Sequence, residues 1–589
     1  MHIVENSKIT KGKTYCYASK CLWDTHLKKY TKPSIAIGHL EGDPPFLVPN
    51  EHLAALLRTY SSDPEMLDDL NQNVVKAVIA KYGQNILENI QEPKDQTGMK
   101  TAQAVFIGPS LVLGEIARKY RLESMLREAF GDKRAKEILA MAWYIASEGN
   151  ALCNSDSWLD HFETSAGSSL SSQDITKLLD AMNYDGIMTF YKLWLANFKK
   201  IGDRVLYDLT SISYYGCGIN LTAWGHNRDK EYLPQVNYAL LCLRSTAMPL
   251  FAWPLDGSIN DVSTLQNTLQ FLDKLGYKPD CLMMDRGFAA EENITYMLRQ
   301  KQIFLQALKV SPDWVKGIID IGRDERLLPE SKLNLEDRTY YVSTTRCRWV
   351  RQLNASGRGK PKDETIVIAQ AEPYVNTDEK VEVLEQYACT VHVLFCQNLV
   401  GNHWDRFMDE LCVERKRLLE DNEAESKKEY SKYFVISRVK YARQRTVDYN
   451  IDNIKKHRNN YAGHICFVTN DKTIITAADA LSEYSTRDYI EKDFDEMKNE
   501  LDMKRIRVHT DSRMKARLLI QFIAEIHMRE IRVCINNSTE CKKMTWRQLF
   551  NHIKAIYKVK FKGKYKDVYP TLSKIQRSIL KALGVKHLN

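Results

Sequence analysis

One segment constrains the fold more than any other: the apolar runs between Arg204 and Leu308 have the lengths and spacings of strands in a single sheet. The first three runs follow one another closely enough to be antiparallel neighbours, and helix-like segments separate the later ones. The sequence predicts, in order, strands at Val205–Leu209, Tyr238–Leu243 and Met248–Trp253, a helix at 262–275, a strand at Cys281–Met284, a helix at 291–299 and a strand at 303–308. In a sheet of this order the first and fourth strands lie side by side and are parallel.

This order is that of a ribonuclease-H-like α/β core, which needs one more helix to be complete. The next stretch, 311–475, contains strand-like runs and a charged helix instead, so we interpret it as a β-containing domain inserted into the core. The missing helix is predicted at Ala477–Leu501, and an apolar, basic helix at Arg513–Asn536. The predicted domains are a small mixed module at 1–105, a helical domain at 106–200, the core at 201–310 and 476–536, the insertion at 311–475 and a basic C-terminal region at 537–589.

The composition excludes several classes of protein. Apolar residues make up 44% and charged residues 27% of the 589, which is ordinary globular usage and argues against a disordered or collagen-like chain. The 13 cysteines are scattered and contain no CxxC pair, so neither a disulfide framework nor a zinc finger is predicted. The N-terminus has no apolar signal segment and no run of 18 apolar residues occurs. We therefore expect a cytoplasmic protein without a membrane anchor.

The positive charge is concentrated at one end of the chain. From Tyr484 onward there are 24 Lys and Arg against 12 Asp and Glu, whereas the preceding residues contain 60 against 63. A concentrated positive field indicates a polyanionic partner such as nucleic acid, because phosphate neutralisation releases counterions. The alternative is an ordinary solvated surface.

Two aspartates occur in or next to apolar strands. Asp208 lies inside the first strand, and Asp285 follows the fourth strand directly. If those strands are adjacent and parallel, both carboxylates project near the same edge of the sheet. Neighbouring buried carboxylates repel each other unless a cation lies between them, and Mg²⁺ binds one or two carboxylates together with water and phosphate oxygens. For either residue alone, a local role as a turn cap or as a partner of arginine is the alternative.

A third group of polar residues has helical spacing. Tyr484, Arg487, Glu491 and Lys498 are 3, 4 and 7 residues apart, which places them within roughly 60° of one another on a helix. A separate apolar stripe on the same segment can dock the helix on the sheet. Glu491 could then complete a metal site, while Arg487 and Lys498 reach phosphates. Charges at such spacings are also common on solvated helices, so the pattern alone leaves both interpretations open.

Together these residues resemble a known family. Tyr-x2-Arg-x3-Glu-x6-Lys is the signature of the insertion-sequence-four group of bacterial DDE transposases, and residues 484–498 match it without a gap. The residues around the other two acids also match, in Tyr207-Asp208-Leu209-Thr210 and in Met284-Asp285-Arg286-Gly287-Phe288. The order of elements, with a large β-containing insertion before the last helix, is similar as well. The resemblance covers most of the chain and is most specific at 204–310 and 465–535.

The resemblance implies an activity. Asp208, Asp285 and Glu491 would be the catalytic residues and would bind two Mg²⁺ ions, with Mn²⁺ as a substitute. The reaction would be cut-and-paste transposition, in which transposon ends are cut and the 3′-hydroxyl ends are joined to target DNA by two-metal phosphoryl transfer. The partners would be double-stranded DNA, as terminal inverted repeats and as target, and a second copy of the chain in a homodimer. The location would be the bacterial cytoplasm, in association with the nucleoid.

The resemblance also implies DNA contacts. Tyr484, Arg487 and Lys498 would hold the backbone beside the scissile phosphate. The module at 1–105 would recognise terminal DNA, an expectation that rests on its position alone. We further predict phosphate contacts from cations that follow the catalytic helix: Lys504, Arg505, Arg507, Arg513, Lys515 and Arg517.

One feature departs from the family. Some members hold a flipped base on a tryptophan at the start of the last insertion strand and cut the second strand through a DNA hairpin. That strand, predicted at Ile465–Thr469, has no tryptophan there. Trp349 and Trp404 lie elsewhere in the insertion, and we predict packing roles for both. The resemblance therefore does not imply a hairpin intermediate here.

Two alternatives stay open from the sequence. The chain could be a domesticated DNA-binding protein that keeps the fold without catalysis, although the presence of all three acids argues against this. It could also be a ribonuclease-H-like DNA nuclease that cuts without joining. Cleavage with Mg²⁺ separates the first from an enzyme, and strand transfer separates the second from a transposase.

Overall fold

The structure is a computed structural model that describes residues 1–10, 13–24, 29–31, 34–41, 45–83, 86, 102–167, 170–199, 201–225, 227–229, 231–259, 261–335, 338–354, 363–369, 381–421, 423–427, 429–438, 445–561 and 566–585. The chain divides into two compact units. The first comprises Met1–Val105 with Lys558–Pro570, and the second comprises Phe106–Tyr557 with Thr571–Asn589. Within the described ranges, no helix combines the length and the apolar character needed to cross a bilayer.

The first unit is a small sheet covered by two helices. β1, β2, β5 and β6 form an antiparallel sheet in that order, β3 pairs with β4, and β7 pairs with β20. The helices pack on the sheet through a core that includes Ile37, Leu57 and Val75. The elements are β1 (His2–Thr10), β2 (Lys13–Ser19), β3 (Leu22–Asp24), β4 (Lys29–Thr31), β5 (Ser34–Glu41), β6 (Phe46–Pro49), α1 (Glu51–Ser62), α2 (Asp69–Tyr82), β7 (Gln103–Phe106) and β20 (Tyr557–Lys560).

The second unit combines many helices with one large mixed sheet. Its helices are α3 (Gly108–Lys119), α4 (Leu122–Phe130), α5 (Asp132–Glu148), α6 (Asp156–His161), α7 (Ser172–Ala181), α8 (Tyr184–Ala196), α9 (Asp261–Lys274), α10 (Glu291–Arg299), α11 (Asp313–Asp320), α12 (Val400–Glu420), α13 (Ile451–Asn460), α14 (Ala477–Ser485), α15 (Asp488–Glu500), α16 (Asp511–Asn536), α17 (Trp546–Lys554) and α18 (Lys574–Ala582). Its strands are β8 (Arg204–Ser213), β9 (Gln235–Leu243), β10 (Pro249–Leu255), β11 (Cys281–Met284), β12 (Phe304–Leu308), β13 (Lys332–Leu335), β14 (Arg338–Asn354), β15 (Asp363–Ala369), β16 (Val381–Phe395), β17 (Phe434–Arg438), β18 (Arg445–Tyr449) and β19 (His464–Thr469).

The large sheet has the strand order β10-β9-β8-β11-β12-β19-β16-β14-β13, and β15 also pairs with β14. The three strands β8, β9 and β10 are antiparallel neighbours. β11 is parallel to β8 on one side and to β12 on the other. The prediction that the first and fourth strands are adjacent and parallel is therefore confirmed. These strands are apolar along most of their length because helices cover both faces of a parallel sheet.

The stretch interpreted as an insertion continues this sheet. β19 pairs with β12 on one side and with the long strand β16 on the other, so five described insertion strands, β13 to β16 and β19, extend the core sheet across its edge. A smaller core forms within the same stretch, where α12, α13, β17 and β18 surround Phe407, Leu411 and Tyr433.

Helix α16 joins the helical region to the sheet. It packs against α5 and α7 on the helical side and against β10 of the sheet. Its Phe522 ring lies 5.1 Å from the Tyr191 ring, and both side chains are buried. A helix that is buried around its whole circumference belongs to the interior of a large unit. The predicted apolar helix at Arg513–Asn536 is therefore present, and it forms the centre of the second unit.

The segment predicted as one helix at Ala477–Leu501 differs from the prediction. The structure has two helices there, α14 and α15, separated by a turn at Thr486 and Arg487. The Thr486 hydroxyl donates to the carbonyl three residues earlier at 2.6 Å, and the Arg487 amide also bonds three residues back at 2.9 Å. Bonds of this spacing tighten a turn and end an α-helix. The predicted polar face therefore does not lie on one continuous helix, since its four residues are divided between α14, the turn and α15: Tyr484, Arg487, Glu491 and Lys498.

Candidate active site

Asp208 and Asp285 are neighbours at one edge of the sheet. In the parallel pair β8–β11, Tyr207 lies opposite Met284, so the two aspartates are the next residues along adjacent strands. The Asp208 side chain is 9% exposed and the Asp285 side chain 28% exposed. The sheet edge thus presents one buried and one partly exposed carboxylate.

The guanidinium of Arg487 connects all three predicted acids. Its Nη2 lies 3.0 Å from Asp208 Oδ2 and 3.4 Å from Asp285 Oδ2. Its Nη1 lies 3.0 Å from Glu491 Oε1. Residues 208, 285 and 491 therefore gather around one side chain, although they come from three distant parts of the chain. The turn between α14 and α15 makes this possible, because it sets Arg487 at the start of α15, one helical turn before Glu491.

The two aspartates have opposite pKa shifts. Burial raises the pKa of Asp208 in spite of the nearby Arg487 charge. Burial also opposes the charged form of Asp285, but the charge of Arg487 and the hydrogen bond from Tyr484 outweigh it and lower the pKa of Asp285. The pKa of Arg487 is raised, because the two aspartate charges outweigh its own burial. The cluster therefore requires a positive charge, which the guanidinium supplies in this structure.

Tyr484 is fixed against the same cluster. Its hydroxyl donates to Asp285 Oδ1 at 2.8 Å, and its ring lies 5.1 Å from the ring of Phe467 on β19. Burial raises the pKa of Tyr484, so the hydroxyl keeps its proton at neutral pH. Tyr484, which the resemblance assigns to DNA binding, thus donates a hydrogen bond to a carboxylate in this structure.

Lys498 has a partner that sequence reasoning missed. Its Nζ lies 2.6 Å from Oδ1 of Asp229, in the loop between β8 and β9, and its side chain is 8% exposed. A second acid of that loop, Glu231, pairs with Arg505. The sequence does contain a signal for such pairing, because Asp229 and Glu231 lie two residues apart in the loop after β8. It does not show which cations these acids contact.

The other predicted phosphate contacts are mostly paired within the chain. Arg507 pairs with Asp502, and Arg513 pairs with Asp180. Arg517 also pairs with Asp502 but is buried, so it is not available to a phosphate in this structure. The Nζ of Lys515 lies 5.4 Å from the centre of the Trp253 ring. Lys504 is exposed to solvent. Internal pairing of this kind does not remove a cation from a surface, but phosphate must then compete with a carboxylate.

The donor chemistry of the cluster fits a hard divalent cation. Three carboxylates and no sulfur or imidazole ligand are what Mg²⁺ prefers. Within the part of the chain that the structure describes, however, no group of three or more His, Cys, Asp or Glu side chains is spaced to hold a metal ion. Each of the three acids instead contacts the guanidinium of Arg487.

The two insertion tryptophans have packing roles, as predicted. Trp349 is fully buried, and its Nε1 donates to Thr295 Oγ1 at 3.0 Å. Trp404 packs beside Phe407, with 5.9 Å between ring centres, and Arg458 lies over its ring at 5.2 Å.

Comparison with known proteins adds one distant similarity. No model of a protein family matches the chain. No curated protein matches it either. Among solved structures, the chain is similar to a piggyBac transposase synaptic complex with hairpin DNA, with 9% sequence identity and a TM-score of 0.35 over 76% of this chain and 78% of that chain. At this level the similarity carries no functional conclusion, so we infer function from the site.

Proposed function

We propose that this chain is a DNA transposase with a ribonuclease-H-like core, which cuts DNA at the ends of a mobile element and joins the 3′-hydroxyl ends to target DNA. The observation that carries the proposal is the meeting of Asp208, Asp285 and Glu491 at a single guanidinium. Acids from distant segments that converge beside adjacent parallel strands form the kind of site that phosphoryl transfer needs. The family signature at residues 484–498 supports the same conclusion.

In this proposal the three acids hold Mg²⁺. When bound, the ions would activate the attacking water or 3′-hydroxyl and stabilise the leaving oxygen. Arg487 would leave the carboxylates for a phosphate oxygen, because a guanidinium binds either group through the same pair of donors. Tyr484 would keep Asp285 oriented through its 2.8 Å hydrogen bond.

The test uses duplex DNA that carries the sequences flanking the gene for this chain. With Mg²⁺, the parent protein should nick this DNA and join the ends to a plasmid. Asp208→Asn, Asp285→Asn and Glu491→Gln should each reduce cleavage to background while DNA binding in Ca²⁺ stays near the parental level. Asp273→Asn, which changes an exposed carboxylate on α9, is the matched control and should cleave normally. Parental cleavage by any of the three variants would remove that residue from the site.

One observation favours a second candidate, an inactive DNA-binding protein of the same fold. Arg487 forms ion pairs with all three acids, as it would in a site that no longer binds metal. Such a protein would bind the end DNA but leave it uncut at every Mg²⁺ concentration. A nuclease of this fold would cut the DNA and produce no joined plasmid.

A further inference from the structure

The loop between β8 and β9 presents large aromatic side chains to solvent. Trp224 is 58% exposed, Tyr232 is 90% exposed and Tyr215 is 72% exposed. The rings of Trp224 and Tyr232 contact each other, with 4.8 Å between their centres and a tilt of 44°. Exposed rings that cluster in this way mark a binding surface more often than isolated exposed residues do.

The backbone that carries these rings is anchored on both sides. Ala223 and Gln235 exchange two backbone hydrogen bonds of 3.0 Å, so the residues just outside the ring pair are joined to each other. At Gly225 a Cβ atom would lie 2.1 Å from the carbonyl oxygen of Gly257, so the loop packs tightly there. Asn227 donates to the Ser213 hydroxyl at 3.0 Å. These contacts therefore hold the loop backbone on both sides of the exposed rings.

The same loop contacts the segment that carries Glu491. Asp229 pairs with Lys498, which is two turns after Glu491 on α15. Glu231, next to Tyr232, accepts a hydrogen bond from Arg505 at 2.5 Å. The Arg505 guanidinium also lies 5.1 Å from the centre of the Tyr215 ring, which brings Tyr215 to the same surface.

Two cations lie in the segment that this loop contacts. Arg505 pairs with Glu231, the residue before Tyr232, and Lys504, the residue before Arg505, is exposed. A surface that combines exposed aromatic faces with cations suits single-stranded nucleic acid, since bases stack on the rings and phosphates meet the charges.

We infer that Trp224 and Tyr232 form a stacking site for unpaired DNA bases on the loop whose Asp229 pairs with Lys498 of α15. The inference rests on the proposed function for its ligand, DNA, and adds that the bases bound there are unpaired. Base faces are hidden in a duplex and become available only when bases are unstacked. Stacking on aromatic rings tolerates any base sequence, so this site would not select a particular terminal repeat.

The test measures binding by the full chain with Asp208→Asn as background, so that no DNA is cut. The probes are a single-stranded oligonucleotide containing 2-aminopurine and a blunt, fully paired duplex of the same sequence. Trp224→Ala and Tyr232→Ala should each weaken single-strand binding by about tenfold or more and reduce the fluorescence change of the probe. Binding of the blunt duplex should change by less than about twofold, because a paired base does not reach the rings.

Matched controls separate stacking from general damage. Trp224→Phe keeps a ring and should retain most of the single-strand affinity. Tyr184→Ala removes an aromatic side chain that is 50% exposed on α8 and should leave both affinities unchanged. Unaltered midpoints of thermal unfolding would show that the loop variants are folded.

Several outcomes would overturn the stacking site. Equal losses on both DNAs would do so, as would an unchanged single-strand affinity. A dimer that dissociates in Trp224→Ala during sedimentation would assign the rings to a protein interface instead. Failure of the proposed function looks different: the parent would leave DNA uncut, while the ring-dependent binding of single strands would persist.

Discussion

The cations between Lys498 and Arg517 and those of the last two helices differ in what they contact. In the first segment, five of the seven Lys and Arg pair with a carboxylate of the same chain: Lys498, Arg505, Arg507, Arg513 and Arg517. Later in the chain, exposed cations lie on α17, on α18 and in the residues just before α17. Six of these have no ion pair with any residue that the structure describes: Lys542, Lys543, Arg547, Lys574, Arg577 and Lys581.

The difference separates two uses of positive charge. A cation paired with a buried acid stabilises the fold, and its removal leaves a charge without a partner. An exposed cation without an acid contributes little to stability, but its field is fully available to a polyanion. Substitutions in the first region should therefore lower the free energy of unfolding, and substitutions in the second should affect DNA affinity instead.

The largest expected loss of stability is for Arg517→Ala. The Arg517 side chain is 6% exposed and lies 2.8 Å from Asp502. It also donates to the carbonyls of Asp502 and Arg505, both at 2.9 Å. Burial lowers the pKa of Arg517 to about 10, so the side chain is still charged at neutral pH. We expect a loss of about 3 kcal/mol in the free energy of unfolding, measured from urea unfolding, because a buried acid and two carbonyls lose a donor.

Arg507→Ala is the matched control for that prediction. Arg507 pairs with the same Asp502, but its side chain is 50% exposed. Water can replace an exposed guanidinium, so the expected loss is below about 1 kcal/mol. Equal losses for the two variants would contradict the distinction between buried and exposed pairing.

The next largest loss of stability is expected for Arg487→Ala in the absence of metal. Three carboxylates would lose their shared cation, and the raised pKa of Asp208 would let that residue take up a proton as partial relief. The unfolding free energy should fall by about 2 kcal/mol. Mg²⁺ should then raise the melting temperature of the variant more than that of the parent, because the site is open to the ion. Arg487→Lys should lie between the two, since an ammonium has no planar fork. Identical responses to Mg²⁺ in parent and variant would contradict this role for Arg487.

Much of the sheet could be predicted from the sequence, and the reason is physical. The strands β8, β11 and β12 are continuous apolar runs, and the order of three strands followed by alternating helices and strands matched a topology in which β8 and β11 are parallel neighbours. The convergence of Asp208 and Asp285 follows from that adjacency. No side-chain pattern was needed beyond the position of each aspartate in its strand.

Other parts could not be predicted, because their cause is not local. At the break between α14 and α15, the Thr486 hydroxyl donates to the backbone. A threonine hydroxyl can also face solvent, and the sequence does not show which of the two occurs. The pairing of Lys498 with Asp229 joins residues far apart in the chain. The extension of the sheet by β19 and β16 depends on strand pairing across the insertion, which hydrophobic spacing does not encode.

Arg513→Ala should have a smaller effect on stability. Its pair with Asp180 joins side chains that are 33% and 50% exposed, so the loss should stay below about 1 kcal/mol. If Arg513 also contacts a phosphate, the dependence of log affinity on log salt should fall by about 1. Asp180→Asn keeps the cation and removes its competitor, so it should tighten DNA binding. A salt dependence that neither substitution changes would confine Arg513 to its structural role.

The smallest change in stability is expected for the combined variant Lys574→Ala, Arg577→Ala and Lys581→Ala. The three residues follow a 3- and 4-residue spacing on the exposed side of α18, opposite the buried Ile579 and Leu580. Like charges at this spacing repel, so stability should rise by about 0.3 kcal/mol. The salt dependence of duplex binding should fall by about 2 to 3, because each phosphate that the protein neutralises contributes about 0.9 to it. Lys574→Arg with Lys581→Arg keeps the charge and should leave the salt dependence unchanged. Since α18 also packs against α16, a loss of stability in the alanine variant would mean that these cations support the fold after all, and the two regions would no longer differ in their use of charge.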